Sequence, residues 1–260
     1  MLGDLLLLSG NDIPFPEARV TIHQPTLKEI AFIGEDVFFI GCGFLDFSKK
    51  LLNSEDKVRL EKYDDFDIFM SIVTSKDSSA KRSVDCAFAV LTLIFPLYEI
   101  GVRTNAIVLI KDEQEYAINK NNFAVFKSIV SSMFDLNLGR GNNEEYNPQG
   151  TIAQKIAEKF KKRHETLMKL AQEKNGNENK NISILSRYAS ILAVGNQKDL
   201  NDLMNYTVWQ LLNEFQRFQL KMQWDAYIEA RMAGAKDLEE VDNWMIDLRD
   251  QGKEKNKSKK

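Results

Sequence analysis

The stretch after Thr207 constrains this chain more than any other. From Val208 to Ala233 it contains neither proline nor glycine, Thr207 offers a capping hydroxyl before it, and Gly234 stops it. At about 100° per residue, Val208, Leu211, Leu212, Phe215, Phe218 and Met222 fall on one side of the predicted helix. Trp209, Leu220, Trp224 and Tyr227 gather about a third of a turn away. A helix with one apolar stripe lies on a core; a helix with two needs cover on two sides. Either it is the centre of its own bundle, or the second stripe meets another polypeptide, where Trp and Tyr anchors contribute about 2 kcal/mol or more each. The candidate partner-binding residues are Trp209, Leu220, Met222, Trp224 and Tyr227.

Upstream the pattern is mixed. Asp4 to Ser9 and Arg19 to His23 predict a hairpin punctuated by Gly10-Asn11-Asp12, Pro14 and Pro16. Pro25 closes its second strand. Thr26 with Glu29 three residues on predicts a capping box before the apolar positions Leu27, Ile30 and Ile33. Further helices are expected from Ser54, over Asp65 to Thr74, and over Ser79 to Tyr98, the last buried because it is apolar all round beyond Val84. Ala106 to Ile110 and Glu115 to Ile118, about the turn Lys111-Asp112-Glu113-Gln114, predict a second hairpin. Asn121 to Met133 reads as a helix with Phe123, Phe126, Ile129, Val130 and Met133 on one face.

The composition then shifts to the glycine, asparagine and proline of Gly139 to Pro148. The expected organisation is an α+β domain over 1–136, a linker over 137–150, a helical domain over 151–250 and a disordered, lysine-rich tail over 251–260. The helical part comprises Thr151 to Lys174, Ile182 to Val194 closed by Gly195, Asp199 to Met204, the two-striped helix, and Asp237 to Arg249. The fold class is mostly α, an α+β arrangement with a small hairpin sheet in its helix-rich N-terminal domain.

With 43% apolar residues and a net charge of −3 over 260 residues, the chain can bury a substantial core and is neither wholly disordered nor collagen-like. Cys42 and Cys86 are too few for a disulfide framework and lack metal-site spacing, so both are expected as buried thiols. Met1-Leu2-Gly3-Asp4 lacks the positive start of a secretion signal, and the apolar run Cys86 to Tyr98 is shorter than the roughly 18 to 20 residues of a membrane span. A soluble, cytoplasmic protein is expected.

No catalytic signature is complete. His23 and His164 are the only histidines, and neither has a recognisable nucleophile and carboxylate beside it. Asp64, Asp65 and Asp67 lack the glycine turn and terminal Glu of a calcium loop and read as an acidic turn. Ser78-Ser79-Ala80-Lys81 has the S-x-x-K spacing without its companion motifs, and reads as a helix start. Gly139-Arg140-Gly141 has no strand before it and no Lys-Ser/Thr after it, as a phosphate loop requires. Lys155, Lys159, Lys161, Lys162, Arg163, Lys169 and Lys174 crowd one segment. Glu158, Glu165 and Glu173 are interleaved with them and no aromatic platform accompanies them, so a solvated face is expected rather than a nucleic-acid site. The expectation is a non-enzyme with no catalytic residue, metal or cofactor, and no membrane partner.

Two sets of residues carry a family resemblance. Ile22-His23-Gln24-Pro25-Thr26-Leu27-Lys28-Glu29-Ile30, followed by Ile33-Gly34-Glu35, resembles the strand, "P-T-x-x-E-I" helix and "I-G-E" turn of tail assembly chaperones and related tail-module proteins of long-tailed phages and prophages. Thr207 to Phe215, Trp224-Asp225, Ala230 to Gly234 and the acidic Asp237 to Met245 resemble the end of such proteins. The resemblance implies a non-enzymatic assembly factor in the host cytoplasm. It would bind the tape-measure protein and keep it soluble until tail-tube protein polymerises around it, with a homo-oligomer compatible with that role. A permanent virion subunit of the baseplate or connector, or another protein-interaction module, is the alternative class, and an enzyme of unknown type the third.

Overall fold

The computed structural model describes residues 3–46, 60–75, 78–134 and 183–235, together with positions 238, 241, 243–246 and 248. Every described element belongs to one compact unit, drawn from residues 1–136 and 183–260. The predicted helix from Ser54, the linker, the helix over Thr151 to Lys174 and the lysine tail lie outside the described residues.

The first element is helix α1 (Asp4–Ser9) rather than the predicted strand. A run of leucines fits either period, and Gly10 decides the matter: at φ 69° it closes the helix with its N–H on the Leu7 carbonyl. The hairpin comes one step later, with β1 (Ile13–Phe15) paired antiparallel to β2 (Val20–Ile22), Ile13 opposite Ile22 and Phe15 opposite Val20. These four side chains are buried, and Pro14 and Thr21 between them are exposed, as alternation requires.

Helix α2 (Leu27–Ile33) opens on the predicted capping box. The Thr26 amide donates to Glu29 Oε2 at 2.7 Å and the Glu29 amide to Thr26 Oγ1 at 3.3 Å. Gly34, at φ 91°, turns the chain directly into α3 (Glu35–Leu45). Asp64 and Asp67 form a second capping box at the head of α4 (Asp65–Val73). Helix α5 (Ser78–Ile94) stops ahead of Pro96 instead of reaching Tyr98, and its burial beyond Val84 centres on Cys86, Ala87, Val90, Leu91 and Ile94.

A three-stranded antiparallel sheet follows in the order β3 (Glu99–Arg103), β4 (Ala106–Lys111), β5 (Gln114–Asn119). The β4–β5 hairpin is the predicted one, tightened to a two-residue turn at Asp112 and Glu113, both at positive φ. Strand β3 has no counterpart in the sequence reading, because an edge strand that is largely exposed carries no apolar alternation. Helices α6 (Phe123–Met133), α7 (Ile184–Asn196), α8 (Leu200–Met204) and α9 (Val208–Met232) complete the described elements. The fold is mixed α+β and mostly helical. Gly195 lies inside α7, and Gln197 at φ 52° takes the closing position predicted for it. In the span predicted as a last helix, Trp244 to Ile246 form a turn.

The predicted division at the linker is replaced by one shared core. Phe15, Ile22, Phe38, Leu91 and Phe126 pack in the same contiguous cluster as Leu192, Leu203, Leu211 and Phe215. Hydrogen bonds to the backbone seal the junction. The Leu27 amide donates to the Tyr206 carbonyl at 2.8 Å, Thr26 bridges Thr207, and Gln210 Nε2 donates to the Leu8 carbonyl at 2.7 Å. Glu35 caps α7: its Oε1 accepts from the amides of Ile184 at 2.6 Å and Leu185 at 3.1 Å, while Oε2 accepts from the Ser183 hydroxyl. Neither segment can bury its apolar face without the other. Among the described residues no helix is long and apolar enough to cross a membrane.

Candidate functional site

The long helix α9 is fixed at its start and loosely covered towards its end. Thr207 and Gln210 form a capping box, with the Thr207 amide 2.8 Å from Gln210 Oε1 and the Gln210 amide 3.3 Å from Thr207 Oγ1. Val208, Leu211 and Phe215 are buried in the core, and Phe215 stacks on Tyr188 of α7 at a centroid distance of 3.9 Å. Leu212 and Phe218 pack against its edge, Phe218 against Gly195, whose missing side chain leaves room for the ring. Lys198 locks the turn between α7 and α8 onto α9, donating to Glu214 Oε2 at 2.7 Å and to the Tyr206 hydroxyl at 2.5 Å. Burial opposes both charges, but the pairing outweighs it, holding Lys198 above and Glu214 below their ordinary values.

The five predicted partner-binding residues separate. Trp209 is half-buried against the core, so much of its area is already used by the fold. Leu220 is 3% exposed, which removes it from any free surface and corrects its assignment. Met222 is 55% exposed although its helical position placed it on the core stripe; the core ends before it. Trp224 and Tyr227 are half-buried, with ring centroids 6.0 Å apart, and the Arg231 guanidinium lies 5.6 Å from the centre of the Tyr227 ring. Trp224 and Tyr227 share one side of the second half of α9, while Met222 and Met232, the last 84% exposed, project from other sides of it.

One feature of this surface had no sequence signal. Beyond Gly234 the chain returns, and Arg217 Nη1 donates to the main-chain carbonyl of Trp244 at 2.8 Å and to that of Ile246. Asn243 shapes the returning turn, accepting the Met245 amide on its side chain and the Ile246 amide on its carbonyl, both at 3.0 Å.

The remaining candidates have structural roles. His23 is held between Asp12, 2.9 Å from Nδ1, and Glu29, 3.2 Å from Nε2. Asp64 and Asp67 cap α4 and share Lys120 at 2.7 and 2.9 Å, and Asp65 pairs with Lys127 at 2.9 Å. Burial pushes the Asp64 carboxyl up, but Lys120 and the Asp67 amide outweigh it and hold it below its ordinary value. Asp64, Asp65, Lys120 and Lys127 line a cleft of about 570 Å³ beside Phe66 and Phe123, where the lysine ammonium groups pair with the carboxylates. Among the described residues no group of three His, Cys, Asp or Glu side chains could hold a metal ion. Both cysteines are free and buried, as expected; burial, and then the Asp46 charge, push the Cys42 thiol well above its ordinary value. Ser78 begins α5. His164, the basic cluster and Gly139-Arg140-Gly141 lie outside the described residues.

Residues 176–248 match the YomV second domain, a family associated with phages and prophages. Among the described elements, the matched span takes in α7, α8, α9 and the returning turn that Arg217 holds. No curated protein and no solved structure matches the chain. The C-terminal half of the resemblance noted in the sequence falls within the match, whereas Pro25 to Ile30 and Ile33 to Glu35 lie outside it. Those two motifs do their work in the fold, at the seams with α9 and α7.

Proposed function

We propose that the chain is a non-enzymatic phage assembly factor that shields the tape-measure protein in the host cytoplasm during tail morphogenesis, releasing it as tail-tube subunits polymerise. The observation that carries this reading is the exposed methionines and half-exposed rings, Met222, Trp224, Tyr227 and Met232, around the second half of α9, inside a span similar to a phage-associated domain. A protein that holds an amphipathic helix transiently needs apolar surface that adapts and lets go. Unbranched methionine supplies the adaptability, and half-exposed rings supply anchoring area. Among the described residues, His23, Asp64 and Asp65 are held in ion pairs with Glu29, Lys120 and Lys127.

The test is co-expression with the neighbouring tail genes and affinity capture, comparing wild type with Met222→Ser/Trp224→Ala. These positions lie outside the contiguous core, so the fold should survive. The expected result is at least a tenfold loss of recovered tape-measure protein, on the scale of one or two lost anchors at about 2 kcal/mol each. Equal recovery by the folded variant would overturn the reading. Purified particles give a second arm: a chaperone is absent from finished tails, whereas stable retention would identify a baseplate or connector subunit.

A further inference from the structure

We infer that the open edge of the three-stranded sheet is a self-association surface: strand β3 (Glu99–Arg103) of one chain pairs antiparallel with β3 of a second copy about a two-fold axis at Gly101, joining the two sheets into one. The inference is independent of the binding role proposed above, because it uses no residue of α9 and its partner is the chain itself. A strand at the rim of a sheet presents main-chain N–H and C=O groups on which another strand can build, and most proteins blunt such a rim. The two rims here differ. Along β5 the buried side chain of Asn122 does the blunting: its Nδ2 donates to the Ala117 carbonyl at 2.9 Å and its Oδ1 accepts from the Asn119 amide at 2.8 Å. β3 pairs with β4 in unbroken register, from Glu99 opposite Ile110 to Arg103 opposite Ala106, and among the described residues nothing pairs with its other side. No proline interrupts it.

The residues of this rim are complementary to themselves. Reversing Glu99-Ile100-Gly101-Val102-Arg103 about Gly101 sets Glu99 of each copy opposite Arg103 of the other, and Ile100 opposite Val102. Opposite charges and β-branched side chains that face each other across neighbouring strands stabilise the pairing, whereas like charges oppose it. Both charges are placed to take part. Glu99 is exposed and has no ion-pair partner among the described residues, and Arg103, 64% exposed, uses one guanidinium nitrogen on Glu115 and leaves its other N–H groups for a second carboxylate. Glu99, Gly101 and Arg103 share one face of the strand, and nothing lies within 4 Å of a Cβ placed on Gly101, so the space between the two charged pairs is open. On the other face Val102 is 40% exposed, an aliphatic side chain left uncovered by its own chain, and Ile100 of the second copy covers it.

The test is sedimentation equilibrium of the full-length protein with paired charge reversals. Five residues a side make a small interface, so wild type is expected to dimerise with a Kd of about 10 to 100 µM. Glu99→Arg and Arg103→Glu each set two like-charged pairs across the axis, and each should weaken dimerisation about tenfold or more. Mixing the two variants in equal amounts matches every charge again, as does combining both substitutions in one chain; either should return the Kd to within about threefold of wild type. Wild type that stays monomeric across a concentration range bracketing that Kd would overturn the inference. So would a dimer indifferent to the reversals, or one that mixing does not restore. Should a single reversal lose the helical circular dichroism of wild type, amide exchange of the unaltered protein decides: protection of β3 should rise with protein concentration while that of β5 stays constant, and no such rise would overturn the inference equally. Protection of β3 that rises only when a co-expressed tail protein is present would assign the rim to a partner's strand and remove the self-pairing.

Discussion

His23 links protonation to stability. Burial pulls its pKa down, but the hydrogen bonds and charges of Asp12 and Glu29 outweigh that and leave it raised. A raised folded value means the stabilisation is complete below the unfolded pKa of about 6.5 and fades as pH climbs through the folded value. Wild type should therefore lose roughly 0.5 to 1 kcal/mol between about pH 6 and about pH 8.5 relative to His23→Gln, a modest figure because Asp12 is 51% exposed. Urea unfolding at the two pH values measures the difference; parallel curves would contradict it. Gly41 offers a sharper test. A Cβ there would lie 2.4 Å from the Cys86 carbonyl oxygen, and backbone inside a helix cannot step aside as a side-chain tip can. Gly41→Ala should cost about 2 kcal/mol or more by forcing α3 away from α5, readable as a lower denaturation midpoint. Glycines inside an apolar run hint at such an approach, but nothing local says what approaches.

The capping box at Thr26 and the cap at Thr207 were legible because the groups involved lie within four residues of each other; that Gln210 completes a box at Thr207 is seen only in the structure. Glu35 was not. It caps α7 from 149 residues away along the chain, a distance over which sequence spacing carries no information. Glu35→Gln keeps the shape and removes the charge that faces the positive end of α7. Amide exchange in the first turn of that helix should quicken by about fivefold, corresponding to roughly 1 kcal/mol, with the far end of α9 unaffected. Uniform acceleration along the chain would instead indicate global destabilisation. The stripes of α9 show the same boundary of legibility. Periodicity found both, yet Leu220, grouped with the candidate partner-binding residues, is buried, while Met222, named among the same candidates although it falls at the angle of the first stripe, is exposed. Period fixes the angle of a side chain about its axis; where the neighbouring surfaces end fixes whether that angle is covered.

At the scale of the molecule, the shared core makes the two ends of the chain one cooperative body. Phe15→Ala removes a fully buried ring from a cluster that also contains Leu203 and Leu211, and should cost about 3 to 5 kcal/mol. Hydrogen exchange should then speed up in the first half of α9 as much as in the β1–β2 hairpin; protection kept at Leu211 would show the halves folding independently. A polar linker invited the opposite expectation, since composition marks where a chain leaves a core but not whether it comes back. By itself the sequence determined the helix-rich class, the Thr26 capping box, the Thr207 cap, the β4–β5 hairpin, the buried thiols and the two-sided character of α9, because caps, turns and periodicity act within a few residues. Only the tertiary structure decided the union of 1–136 with 183–235, the reach of Glu35 to α7, the burial of Leu220 and the Arg217 clasp on residues 244 and 246. Each of those depends on a surface supplied by a remote segment, and no local pattern encodes the surface it will meet.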